Sequence, residues 1–207
     1  MERAGDGSPQ PTQILRIVTA FTLGHSLTLA LSGLGLVHLP SRPVEVLIAV
    51  SILVSAIHAM RPLFPGREAI IAASFGLIHG LAFASALNEL GVTGWYRLIS
   101  VFGFNLGIEA MQLAVVTVTL PALLLLSRTR CYSAFRIAGA AFACVASCAW
   151  IVERVLGQPN PIGDGVESLA RHGVMLAVGL WASSAIAWTM KGQGRLISPG
   201  STAVYEP

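Results

Sequence analysis

The sequence predicts an all-α integral membrane protein, a polytopic bundle of about six transmembrane helices. Its 207 residues are 54% hydrophobic and only 11% charged, whereas soluble domains carry about 25% charged residues. The mean hydropathy is +0.72, and several apolar runs reach the roughly 20 residues that a helix needs to cross a bilayer. Between these runs lie short segments rich in Pro, Gly and Arg, which are typical of the turns between membrane helices.

The elements follow in order along the chain. A polar lead-in over residues 1–11, rich in Gly and Pro, is expected to be disordered. One transmembrane domain covers residues 12–190, and a polar tail follows over residues 191–207. The six predicted spans are residues 12–37, 44–60, 69–90, 98–120, 137–156 and 169–190. We expect Pro121 to kink or end the fourth span, and the segment GQPNPIGDG after the fifth to be a turn-rich loop.

The basic residues indicate topology and give no sign of nucleic-acid binding. They are almost all Arg, are spread over the loops and form no patch interleaved with aromatic residues. Most of the 13 fall on the side of the two chain ends, which predicts that both termini are cytoplasmic in the plasma membrane of a bacterium. Trp95, Tyr96 and Trp188 lie at helix ends, where such side chains anchor a protein at the membrane surface.

Three ionisable side chains lie near the middle of separate predicted spans, namely His25, His79 and Glu109. A charged group at that depth costs roughly 2.5–3.5 kcal/mol on insertion scales, so it is paired, binds something or passes something along. Asn105 and Gln112 flank Glu109 at helical spacing, which puts the three residues on one face of the fourth span. These five side chains form the predicted polar site. The alternative is a structural hydrogen bond between helices, worth about 0.6 kcal/mol.

The second span carries a further polar stripe of Ser51, Ser55 and His58, which extends towards its cytoplasmic end. Its Glu45 lies near the outer end and points away from this stripe, so it either guards an entrance or faces the lipid headgroups. We include Ser51, His58 and Glu45 as additional polar ligands or pathway residues. A structural role is the favoured interpretation for His58, as for the other two histidines near the membrane surfaces, His38 and His172.

Small residues at four-residue spacing predict close helix contacts in the same region. Gly76 and Gly80 flank His79 in this way, and Gly103 and Gly107 do so beside Glu109. The segments LGHSLTLA and LIHGLAFA share a pattern around His25 and His79, which leaves open a parallel repeat of helix pairs. Cys144 and Cys148 lie four apart in an apolar run and are interpreted as buried small residues, with a metal or redox pair as the alternative.

The chemistry of the predicted site suits a divalent transition-metal ion. Neutral imidazole binds Zn, Ni and Co, and a carboxylate balances the charge inside a medium of low dielectric constant. We expect no permanently bound cofactor, and Ni, Co or Zn as the ion that is bound or transported. No phosphate-binding loop of the G-x4-GK-[ST] type occurs in the chain, so we expect a gradient or a partner protein to drive any transport.

Four motifs in this order resemble the HupE/UreJ family of membrane proteins, and in particular its second branch. They are TAFTLGHSLTLALSGLGL, VEVLIAVSILVSAIHAMRPLFPGRE, FGLIHGLAFA and FNLGIEAMQL. The family is described as nickel or cobalt permeases and as hydrogenase or urease accessory proteins, so the resemblance implies metal-ion transport. Better-understood members carry paired histidines where this chain has His25 and His79 alone, which leaves the choice of ion open.

We therefore predict a membrane permease for a divalent transition-metal ion, with His25, His79 and Glu109 as metal ligands and no enzymatic activity. One alternative is a non-transporting accessory protein that binds metal for a partner metalloenzyme such as hydrogenase or urease. A membrane-embedded metal-dependent enzyme is the third, since two His and a Glu can bind Zn and leave a position open. An extracytoplasmic domain or partner protein and a homo-oligomer are both compatible with the sequence.

Overall fold

The computed structural model describes residues 11–82, 91 and 93–196. The structure is 84% helical, and the residues just named form seven helices and no strand. The all-α class predicted from the sequence is therefore confirmed. The helices are α1 (Pro11–Gly33), α2 (Ser41–Met60), α3 (Glu68–Leu81), α4 (Gly94–Ser127), α5 (Tyr132–Leu156), α6 (Pro161–Ala170) and α7 (Gly173–Leu196).

Five of these helices are long and apolar enough to cross a membrane. They contain Thr12–Gly33, Ser41–Met60, Gly94–Ser127, Tyr132–Leu156 and Gly173–Met190. The described part of α3 is a further apolar helix of 14 residues. The rest of the predicted third span, residues 83–90, lies outside the described residues, as do most of the predicted lead-in and tail. About six spans is consistent with this arrangement.

The helices pack in a row rather than in sequence order. The closest pairs are α1 with α3, α2 with α5, and α4 with α7. The α1–α4 and α2–α3 contacts join these pairs, which gives the order α5, α2, α3, α1, α4, α7, and α6 packs on α5. Leu29 on α1 and Val101 on α4 form a buried apolar cluster, with Phe104 and Ile108 packed against it. This order places α1 between α3 and α4, the helices that carry the other two midspan ionisable groups.

Glycine lets α1 and α3 approach backbone to backbone. A Cβ atom at Gly76 would collide with the Phe21 carbonyl oxygen, and one at Gly80 would collide with the His25 carbonyl oxygen. Gly24 contributes from the other helix, because its Cβ position is blocked by the carbonyl of Ala73. The close contact predicted at Gly76 and Gly80 is therefore confirmed, and it fixes the two histidine-bearing helices against each other.

The same expectation is wrong for Gly103 and Gly107 on α4. Apart from the adjoining part of α4 itself, no heavy atom of the described residues lies within 4 Å of the position that a Cβ would take at either glycine. The apolar contacts of α4 with the buried Leu29 of α1 come from Val101, Phe104 and Ile108, on another face of the helix. A small-residue spacing permits close approach but does not choose the face that a neighbour covers.

Helix α4 continues through Pro121 to Ser127 instead of ending there. Proline has no N–H to donate, so it removes one hydrogen bond from the helix at this point. Side chains of α7 reach carbonyls in the same region: the Trp181 indole N–H donates to Val118 O at 3.0 Å. The Ser184 hydroxyl shares its hydrogen between Leu180 O of its own helix, at 2.7 Å, and Ala122 O of α4, at 3.0 Å. The Ser184 side chain is fully buried. These bonds tie α7 to α4 around the proline.

The predicted loop GQPNPIGDG contains the start of a helix, so that expectation is wrong. Pro161 occupies the first turn of α6, where its missing N–H leaves no bond unmade. Asn160 caps the helix, since its Oδ1 accepts the Gly163 N–H at 2.9 Å. The Asn160 amide N–H also donates to the Ala149 carbonyl at 3.0 Å, which holds α6 against α5. The final long helix then begins at Gly173, later than predicted.

Candidate functional site

Ser26, Asn105 and Glu109 form a closed hydrogen-bonded network between α1 and α4. The Ser26 hydroxyl donates to Glu109 Oε1 at 2.7 Å. The Asn105 amide donates to the same carboxylate oxygen at 3.0 Å and to Ser26 Oγ at 3.1 Å. Glu109 Oε1 thus accepts two hydrogen bonds, one from each helix. The predicted polar face of α4 is therefore directed towards α1 at these positions.

The two midspan histidines meet around a shared aromatic ring. Phe21 stacks on His25 with ring centroids 6.1 Å apart and an angle of 13° between the planes. The same phenyl ring contacts His79 edge-on, with centroids 5.3 Å apart. His25 is 3% exposed, so it lies in the interior of the bundle between α3 and α4. Phe21 therefore contacts both imidazoles.

Helix α2 reaches this region through Ser51. The Ser51 Oγ lies 2.9 Å from His79 Nε2 and donates to the Ile48 carbonyl of its own helix at 2.7 Å. The Ser51 side chain is buried, at 3% exposure. One turn later Ser55 donates to the Ser51 carbonyl at 2.8 Å, so its hydroxyl is used within α2. Of the predicted stripe on α2, Ser51 is the residue placed against a midspan histidine.

His58 is placed as part of a turn. Its Nδ1 accepts the backbone N–H groups of Leu63 at 3.0 Å and of Phe64 at 3.4 Å, and its ring stacks on the Phe64 ring at 5.7 Å. A nitrogen that accepts hydrogen bonds carries no proton, so Nε2 carries it in the neutral ring. His58 therefore offers a donor and no open lone pair in this arrangement, which fits the structural interpretation favoured from the sequence.

Glu45 and Gln112 are not part of the network. The Glu45 carboxylate forms an ion pair with the Arg154 guanidinium of α5, at 2.6 Å. This pairing joins α2 to α5 on the far side of α2 from α1 in the row of helices. Gln112 is half-buried on α4, beyond Glu109. Their predicted parts in the pathway stay predictions.

The described side chains do not form a closed metal site. Among residues 12–82, 91 and 93–190, no group of three or more His, Cys, Asp or Glu residues is arranged to hold a metal ion. His25 lies on α1, and His79 and Glu109 lie on the helices that flank it, α3 and α4; their assignment as joint ligands stays a prediction. The three cysteines are free thiols, and the expected burial is wrong for Cys148, which is exposed on α5.

Two residues that complete this geometry were missed from the sequence. They are Ser26 and Phe21, both on α1. Ser26 directly follows His25 on α1, and Phe21 precedes His25 by four residues, which is one helical turn. A polar side chain directly beside an intramembrane histidine, and an aromatic ring one turn away, are the signals that indicate such partners.

Comparison with known proteins gives one match. A family model described as HupE / UreJ protein matches residues 8–154. No curated protein and no solved structure matches the chain. The matched segment contains α1 to α4, most of α5 and all the candidate site residues, and it ends before α6 and α7.

Proposed function

Because the chain belongs to the HupE/UreJ family of membrane proteins, we propose that it is a permease that carries a divalent transition-metal ion across the membrane. The ion is cargo of the nickel, cobalt or zinc kind. His25, His79 and Glu109 are the side chains that it meets midway, and Asn105 and Ser26 hold the Glu109 carboxylate in place. The Gln112 amide extends the polar face of α4.

The observation that carries this proposal is the hydrogen bonding that holds the Glu109 carboxylate against α1. Its carboxylate accepts hydrogen bonds from two neutral donors and forms no ion pair with a basic residue of the described chain. A carboxylate without a basic partner is a group that a cation would meet in a medium of low dielectric constant. Helix α1, to which Glu109 is bonded, and its neighbour α3 carry two imidazoles on either side of the Phe21 ring, and imidazole suits Ni and Zn.

The test is uptake of Ni²⁺ or Co²⁺ into proteoliposomes that contain a metal-sensitive dye. We expect His79→Ala and Glu109→Gln to abolish most of the uptake. His172→Ala and Glu167→Gln are matched controls, since both residues are exposed and lie on or next to α6, away from the site. Uptake by His79→Ala and Glu109→Gln at the rate of the unaltered protein would overturn the proposal.

The same preparation separates a permease from a membrane accessory protein that holds metal for a partner metalloenzyme. The permease moves metal into sealed vesicles, whereas an accessory protein binds metal with defined stoichiometry and gives no uptake. Equilibrium dialysis with ⁶³Ni²⁺ on detergent-purified protein measures the binding. Binding that is lost in His79→Ala, together with zero uptake, would replace the permease with the accessory function.

A further inference from the structure

The contact between Ser51 and His79 determines which nitrogen of the histidine carries the proton. A serine hydroxyl has one hydrogen to donate and two lone pairs to accept with. Ser51 Oγ lies 2.7 Å from the Ile48 carbonyl oxygen, which can only accept. Two oxygens at that distance with no hydrogen between them repel, so the hydroxyl hydrogen points at Ile48.

The hydroxyl oxygen of Ser51 then has only lone pairs for His79. Since His79 Nε2 lies 2.9 Å from Ser51 Oγ, Nε2 is the donor and carries the hydrogen. A neutral imidazole with its hydrogen on Nε2 has its open lone pair on Nδ1. Ser51 is 3% exposed, so the bulk solvent does not compete for this contact.

We propose that Ser51 is a positioning residue, which holds His79 in the Nε2–H tautomer and so presents Nδ1 to the ion. The tautomer follows from the contacts of Ser51 alone, whereas its consequence for metal binding rests on the proposed function. Ser51 then acts through His79 and is not itself a ligand, in contrast to the role first predicted for it. Groups that fix the tautomer and orientation of a metal-binding histidine typically contribute about 10–100-fold to metal affinity.

Nitrogen-15 NMR of histidine-labelled protein in lipid bilayers, without metal, tests the tautomer directly. The His79 signals are identified as those lost in His79→Gln. We expect Nε2–H in the unaltered protein and in Ser51→Thr, which keeps a hydroxyl at this position, and a mixture of both tautomers in Ser51→Ala. Ser55→Ala is the matched control, because that hydroxyl bonds only to the Ser51 carbonyl among the described residues. A His79 with its hydrogen on Nδ1, or a tautomer unchanged by Ser51→Ala, would overturn the proposal.

A second measurement follows the consequence in the metal-bound state. We expect Co²⁺ affinity to fall about 10–100-fold in Ser51→Ala and to recover in Ser51→Thr. Unchanged affinity in Ser51→Ala would contradict the positioning role. The two proposals fail separately: loss of uptake in His79→Ala with the wrong tautomer refutes the role of Ser51 alone. The expected tautomer with full uptake in His79→Ala refutes the permease alone.

Discussion

Gly76 with Gly80 on α3, and Gly103 with Gly107 on α4, have the same spacing and opposite surroundings. The first pair presses against the backbone of α1 with no space for a methyl group, whereas no other helix of the described part of the chain covers the second pair. Both pairs lie beside an ionisable residue at midspan depth. The difference shows that the two sides of the candidate site are held by different forces.

On the α3 side, contact between backbones fixes His25 and His79. On the α4 side, the link is a small apolar cluster around Leu29 and the hydrogen bonds of Ser26, Asn105 and Glu109. Side-chain hydrogen bonds can break and reform as a cation binds, whereas a backbone contact of this kind leaves no room for adjustment. We expect α1 and α3 to behave as one rigid unit and α4 to be the helix whose position responds to the ion.

The largest effect that we expect comes from adding a methyl group on the rigid side. Gly76→Ala places a Cβ against the Phe21 carbonyl oxygen, and overpacking of this kind costs about 1–3 kcal/mol, occasionally more. Gly107→Ala is the matched control, which we expect to stay within about 0.5 kcal/mol or to stabilise α4 slightly. Unfolding in detergent, followed by circular dichroism, measures both. Equal stability of the two variants would contradict the contrast between the two sides.

Removal of the carboxylate on the α4 side comes next. Glu109→Ala leaves the Ser26 hydroxyl and the Asn105 amide without their common acceptor, which we expect to cost about 1–3 kcal/mol of stability. Glu109→Gln keeps an acceptor oxygen and should cost less. The same unfolding measurement ranks the two variants. A Glu109→Ala variant as stable as the original would show that the network does not hold α4.

A smaller loss is expected where α7 bonds to α4 around Pro121. Ser184→Ala removes the hydroxyl that is shared between Leu180 O of α7 and Ala122 O of α4; interhelical hydrogen bonds in membranes average about 0.6 kcal/mol, and we expect a loss no larger than this. Ser183→Ala is the control, since the Ser183 hydroxyl bonds within α7 and is exposed. Neither variant should alter metal uptake. A loss of uptake in Ser184→Ala would show that the α4–α7 contact takes part in the pathway.

The ion pair of Glu45 and Arg154 should matter least among the contacts between helices. Its side chains are 28% and 40% exposed, although the two bonded atoms are covered, and partly exposed pairs contribute about 0.2–1 kcal/mol. We expect Glu45→Gln to lower the unfolding temperature slightly at low salt and to leave metal uptake unchanged. Reduced uptake at equal protein content would instead give Glu45 the entrance role considered from the sequence.

A weak pH dependence is expected at the start of α3, outside the membrane-spanning segment. Hydrogen bonds from its own backbone N–H and from that of Gly66 lower the pKa of the Glu68 carboxyl below its ordinary value. The ionised form is therefore favoured on folding, so its contribution is present above the unfolded pKa and lost as the pH falls through the folded one. Unfolding temperatures at neutral and acidic pH should differ less in Glu68→Gln than in the original protein.

Much of the fold was predictable because apolar length and turn residues act locally. The spans, the midspan residues and the glycine contact of α3 all follow from patterns within one segment. Which helix packs against which does not follow from such local patterns. The sequence therefore could not show that another helix covers Gly80 and that no described helix covers Gly107. Helix α6 was missed because its glycines and prolines are also turn residues. Asn160 followed by Pro161 is the capping signal that distinguishes the start of a helix from a loop here.

The sequence predicted the ionisable residues of the candidate site but not the roles of the residues that contact them. His25, His79 and Glu109 stand out because charge is rare at that depth. Ser26, Ser51 and Phe21 are ordinary residues in membrane helices, and their roles arise only when α1, α2, α3 and α4 are placed side by side.

The central claim is that an imidazole from α3 and the carboxylate of α4 act on the same ion. A double-mutant cycle on Ni²⁺ affinity, with His79→Ala, Glu109→Gln and the two combined, tests it most directly. We expect the loss of binding free energy in the double variant to be much smaller than the sum of the two single losses. The reason is that the two ligands hold one ion, so removal of either one weakens the contact that the other makes. Additive losses would mean that His79 and Glu109 act on separate ions, and would contradict the account.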